Sequence, residues 1–113
     1  MADADDLTRI ALNFPGVAQY PHFDRVAFKA RVTFATLAPD RLTANLKLAP
    51  DEQALKCEVA PDAFSALPNA WGQRGWTAAR LAALDIRELE AALALAYVHA
   101  APRPRTKRRA APH

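Results

Sequence analysis

Residues 64–77 read Phe-Ser-Ala-Leu-Pro-Asn-Ala-Trp-Gly-Gln-Arg-Gly-Trp-Thr and hold both tryptophans and two of the three glycines of the chain. Gly72 and Gly75 bracket Gln73 and Arg74, and Trp71 and Trp76 stand immediately outside them. Glycine supplies the positive φ that a short hairpin loop demands, so this segment predicts a β-hairpin with a basic tip. Trp71 and Trp76 then face each other at the base of the loop, where a cross-strand aromatic pair contributes roughly 0.2 to 1 kcal/mol.

Downstream of the hairpin, a strand from Thr77 runs on toward Asp85. Asp85 and Glu88 have the spacing of a capping box, and Ile86, Leu89, Leu93, Tyr97 and Ala100 form the apolar stripe of a long last helix that Pro102 ends. Upstream, Pro50-Asp51-Glu52 opens a helix reaching about Glu58, because proline is tolerated and acids are favourable in a first turn. Before it, Leu42, Ala44, Leu46 and Leu48 alternate with Thr43, Asn45 and Lys47, the period of a half-buried strand that follows a Pro39-Asp40 turn.

Val26 and Phe28, then Val32, Phe34 and Thr36, predict two more strands that turn near Ala30-Arg31. Leu7, Ile10, Ala11 and Phe14 have helical spacing between the acidic start at Asp5-Asp6 and the stop at Pro15-Gly16. The order is α-β3-α-β2-α. It predicts an α+β two-layer sandwich, an antiparallel sheet with helices packed on one face.

A chain of 113 residues makes one domain with a modest core. Its 27 alanines make that core lean in large side chains, and 11 arginines against 4 lysines suggest a bacterial coding sequence. Cys57 is alone, which gives no disulfide framework and points to a reducing compartment. The start, Met-Ala-Asp-Ala-Asp-Asp, lacks the long apolar run of a secretory signal or a membrane span. The expectation is a cytoplasmic protein that does not contact membranes.

Charge is unevenly placed. Arg103, Arg105, Lys107, Arg108 and Arg109 contribute +5, whereas residues 1–102 hold ten basic and twelve acidic side chains. Residues 25–47 carry Arg25, Lys29, Arg31, Arg41 and Lys47 against Asp40 alone. The segments that read as strands are basic and those that read as helices are acidic, so one face should be positive. The domain is assigned to residues 1–101. Residues 102–113, with three prolines and no large apolar side chain, cannot offset the entropy of ordering and are predicted to be a disordered basic tail.

The order of elements, Phe34-Ala35-Thr36-Leu37, the run from Ala70 to Thr77, and the Leu89 to Tyr97 helix together resemble the MmcQ/YjbR family, over roughly Leu7 to Ala101. The resemblance implies a fold like that of secretion chaperones and a DNA-binding role in which two hairpins act as a double wing. Carried over by position, the wings are Lys29 to Thr33 and Gly72 to Gly75, with Lys29, Arg31 and Arg74 as phosphate contacts. Val32 stands where the family often has a lysine, and Asn69 where it often has glycine.

Lys29, Arg31, Arg74 and Arg80 suit phosphate oxygens, since cations neutralise a backbone without reading bases. Exposed strand cations also serve simply to keep a sheet soluble and its edges unpaired. The five tail cations read as an arm that strengthens a weak module on any polyanion, against a merely solvated end. Trp71 and Trp76 suit base stacking, but two tryptophans at a hairpin base more often pack the stem.

Catalysis has little basis. Ser65 is the only serine and has no nucleophile-elbow pattern, and His22, His99 and His113 lack metal-ligand spacing with Cys57 or each other. No metal or cofactor is expected. The expectation is a small non-enzymatic protein that contacts duplex DNA non-specifically through two basic wings and a basic tail; the alternative is a protein-interaction adaptor.

Overall fold

The computed structural model describes residues 1–101; the basic segment from Arg103 to Arg109 lies outside the described residues. Helix α1 spans Ala4–Asn13, strands β1 to β4 span Ala18–His22, Arg25–Lys29, Thr33–Leu37 and Thr43–Lys47, and α2 spans Pro50–Val59. Strand β5 (Phe64–Ala66), helix α3 (Ala70–Gln73), strand β6 (Trp76–Arg80), a 3₁₀ turn over Leu81–Ala83 and helix α4 (Ile86–Ala100) follow. The protein is α+β with one antiparallel sheet, in the spatial order β1-β2-β3-β4-β6-β5.

Two elements depart from the expected α-β3-α-β2-α order. Strand β1 precedes the three strands that the alternation marks. It has no apolar alternation because all five of its residues are exposed, and Pro21 is tolerated there because an edge strand has N–H positions that need no partner. The second departure is at the tryptophans. Strands β5 and β6 do pair, with Phe64 opposite Ala79 and Ala66 opposite Thr77, but the chain between them forms helix α3, not a tight loop.

The cause of α3 is Asn69. Its side chain accepts a hydrogen bond from the Trp71 N–H at 3.0 Å, the N-cap role for which Asn is preferred. Both glycines then serve close approach. A Cβ on Gly72 would lie 1.8 Å from the Leu67 carbonyl oxygen, and a Cβ on Gly75, at φ 106°, would lie 1.8 Å from that of Leu48. Trp71 is thereby carried on a helix and does not face Trp76 across a stem.

The core lies between one sheet face and helices α1 and α4. Phe28, Ala35, Leu37, Ala44, Leu46, Phe64 and Ala79 turn toward it, meeting Leu7, Ile10 and Ala11 of α1 and Leu89, Ala92, Leu93 and Ala96 of α4. Between β2 and β3 the register shifts by one residue: Phe28 pairs with Ala35, Lys29 with Thr33, and Phe34 is the extra residue. Such a bulge re-aims a side chain. Here it sends Phe34 into the core, 6.4 Å from the Phe14 ring and 5.7 Å from that of Tyr97, while Phe14 and Tyr97 stack at 4.6 Å.

The expected helix starts recur in the contacts. In α4 the Glu88 N–H donates to Asp85 Oδ1 at 2.7 Å, and the Asp85 N–H donates to Glu88 Oε1 at 2.9 Å. Helix α2 starts at Pro50, and the Ala49 N–H donates to Glu52 Oε1 at 2.8 Å. Burial raises the Glu52 pKa, but that N–H and His99, 3.0 Å away on α4, outweigh it, so the carboxyl sits below its ordinary value.

Candidate functional site

Alternation along the strands sends Arg25, Ala27 and Lys29 of β2, Thr33 and Thr36 of β3, Thr43, Asn45 and Lys47 of β4, and Trp76, Ala78 and Arg80 of β6 away from the helices. Tyr20 and His22 of β1 join them, being paired with Ala27 and Arg25. This outer face therefore gathers four cations. Lys29 and Lys47 stand at one end of the strands, and Arg25 and Arg80 at the other.

Among the described residues, ion pairs join Arg9 to Asp6, Arg41 to Asp5 and His99 to Glu52. None involves the outer face. Lys29 lies over the Tyr20 ring, 5.6 Å from its centre, and Arg80 donates to the Asp62 carbonyl oxygen at 2.9 Å. Most carboxylates sit on or beside α1, α2 and α4, with Asp24 and Asp40 in strand turns, and Arg9, Lys56 and Arg87 share the helices with them.

In the middle of this face is a pocket of about 320 Å³, lined by His22, Arg25, Thr33, Thr36, Asn45, Leu67, Trp71 and Trp76. The Arg25 Nε donates to Thr36 Oγ1 at 2.9 Å, and its Nη2 donates to the Thr36 carbonyl oxygen at 3.4 Å. These bonds hold the guanidinium against the pocket floor. Trp71 is 54% exposed at the rim, and Arg74 lies over its ring, 5.5 Å from the centre.

The four cations singled out in the sequence meet different fates. Lys29 and Arg80 share the outer face. Arg31 does not: its Nη2 donates to the His99 carbonyl oxygen at 2.9 Å and its backbone N–H to that of Ala100 at 2.8 Å, so it closes the C-terminal end of α4 on the helix side. Arg74 follows α3 and is not a hairpin tip. Arg103, Arg105, Lys107, Arg108 and Arg109 lie outside the described residues.

Sequence reasoning missed Arg25, Lys47 and the pocket floor of Thr33, Thr36 and Asn45. A signal existed in the period of two: once Ala44, Leu46 and Leu48 face the core, Thr43, Asn45 and Lys47 must share the other face. No group of three or more His, Cys, Asp or Glu residues is placed to hold a metal ion among the described residues. Likewise, none of the described helices is long and apolar enough to cross a membrane.

No protein-family model matches this sequence, and no curated protein matches it. Among solved structures, the crystal structure of the Deinococcus radiodurans protein DR2400, described as a DUF419 domain, is similar with a TM-score of 0.72. The match is 19% identical and covers 88% of this chain and 78% of that one. At that identity the likeness is one of fold.

Proposed function

We propose that this protein binds nucleic acid through the outer face of its sheet, gripping phosphates without reading sequence. The observation that carries the reading is the grouping of Arg25, Lys29, Lys47 and Arg80 on one face with no carboxylate within ion-pair distance among the described residues. Cations so placed neutralise a phosphate backbone and release its counterions. The DUF419 group of the structural neighbour is related to the MmcQ/YjbR family that the sequence resembles, an agreement of fold. The contact surface in this reading is the sheet face, with Lys29 and Arg80 retained from the sequence-based set and Arg31 removed from it.

The test is fluorescence anisotropy of a labelled random DNA duplex with the full chain over a range of salt. Four phosphate contacts correspond to a slope of log affinity against log salt of about −4, to which the tail cations add. Replacing Lys29 and Lys47 together by Gln should flatten the slope by about 2, and neither lysine makes a hydrogen bond that the fold needs among the described residues. No binding at low salt, or an unchanged slope in the double variant, would refute the reading.

A second reading, docking of a partner protein, is favoured by α2, which buries no residue fully and exposes Leu55 and Val59. Association that resists nuclease and salt, and is lost in the variant Leu55→Asp with Val59→Asp, would support it.

A further inference from the structure

We infer that the pocket on the outer face takes one unpaired nucleotide of a single-stranded nucleic acid, its base against the indoles and its phosphate on Arg25. The inference rests on the nucleic-acid reading above and narrows it from phosphate contact in general to a strand whose bases are free.

The size of the pocket is the first argument. At about 320 Å³ it lies at the small end of ligand sites, room for a base and not for a large cofactor. Its lining combines two indoles with the hydroxyls of Thr33 and Thr36 and the amide of Asn45. The Asn45 amide, which carries both donors and an acceptor, has no side-chain hydrogen bond to another described residue. Bases in a duplex are stacked and paired, so they cannot enter such a pocket; an extruded or unpaired base can, reading polar groups at its edge and stacking on its faces.

Arg25 is the second argument. It is half-buried, held by two bonds to Thr36, and has no carboxylate partner among the described residues. A half-buried cation with neutral partners only is free to take an anion. Its Nη1 donates to no described residue and is left for a phosphate oxygen.

Phe23 is the third. It is 94% exposed and has φ 59°, in the turn between β1 and β2 that carries His22 and Arg25. A two-residue turn with positive φ at its first position favours glycine there, so this aromatic ring is held in water at a conformational cost. Its ring stands edge-on to that of His22, 4.9 Å away. With Tyr20 and Trp71 also exposed on this side, the face has the aromatic platforms that single-strand binders stack bases on.

Trp71 and Trp76 are the only tryptophans and both line the pocket, so intrinsic fluorescence reports occupancy. The full chain is titrated at one salt concentration with oligo-dT, with an A·T duplex of equal length and with thymidine monophosphate. Oligo-dT should quench the emission and bind about tenfold more tightly than the duplex, and Arg25→Gln and Phe23→Gly should each weaken the strand about fivefold or more. Phe23→Gly suits the turn better, so an unchanged or raised melting temperature separates its effect from unfolding. Equal or tighter duplex binding, or strand binding without quenching, would overturn the inference and leave phosphate gripping intact. Monophosphate binding as tight as the strand would overturn it in favour of a free nucleotide, and binding by no ligand would end both readings.

Discussion

Gly75→Ala isolates the tight crossing of backbones that follows α3. At φ 106°, a Cβ at Gly75 would sit 1.8 Å from the Leu48 carbonyl oxygen and 3.0 Å from its carbonyl carbon. Ordinary contact begins near 3.4 Å, so β4 and the start of β6 must separate by about 1.6 Å, the difference between the two distances. Left-handed backbone costs a residue with a Cβ about 1–2 kcal/mol. Losing the bond from the Leu48 N–H to the Gly75 carbonyl oxygen, 3.1 Å long, costs about 1 kcal/mol, and the displaced packing about 1–3 kcal/mol. The total loss is about 3–6 kcal/mol, a large share of the stability of a single domain. Urea unfolding followed by tryptophan fluorescence measures it. A loss below about 1 kcal/mol would refute the close-approach argument. Gly72→Ala meets the Leu67 carbonyl oxygen at the same 1.8 Å, but its helical backbone suits Ala, so it should lose less, about 2 kcal/mol.

Arg31→Gln should lower stability by about 1 kcal/mol, because it removes the bond to the His99 carbonyl oxygen. Anisotropy should show oligonucleotide affinity changed less than about twofold, whereas loss of Lys29 lowers it. Tyr97→Phe keeps the stack on Phe14 but deletes the 2.6 Å bond to the Pro15 carbonyl oxygen. Thermal unfolding should register about 1 kcal/mol of lost stability. Glu52 has a folded pKa below its ordinary 4.5, so its contribution is complete above that value and is lost as pH falls through the lowered one. Glu52→Gln should therefore reduce stability near neutral pH and flatten the decline below the ordinary value of 4.5, as melting temperatures across the acid range would show. An unchanged acid limb would contradict the assignment.

Helices α1, α2 and α4 and strands β2 to β4 were legible because their signals are local. The Asp85 and Glu88 pair, the Pro50 start and the Leu42 to Leu48 alternation each state their own structure. Strand β1 was not legible because its pairing with β2 buries none of its side chains and so leaves no apolar alternation. The segment at Trp71 misled because glycine serves two purposes: Gly72 and Gly75 are needed for two backbones to touch, and only a partner distant in sequence reveals that.

The site was legible only in part for a related reason. Positive charge could be assigned to the strands, but its side could not be assigned at Arg31, which lies in a turn where alternation ends and which the last helix claims. At Asn45 and Lys47 the alternation was in plain view, and their side of the sheet follows once Leu46 is buried. The pocket itself draws on β1, β2, β3, β4 and β6 together with α3, so no single stretch contains it.

Binding on the outer sheet face, and nowhere else on the domain, is what the proposed function requires. Two-dimensional amide NMR of the full chain, titrated with oligo-dT, tests it residue by residue. The largest shifts should fall on Arg25, Thr36, Asn45, Lys47 and Ala78 and on the two indole N–H groups. Shifts confined to residues 103–109, or centred on α1 and α4, would contradict it.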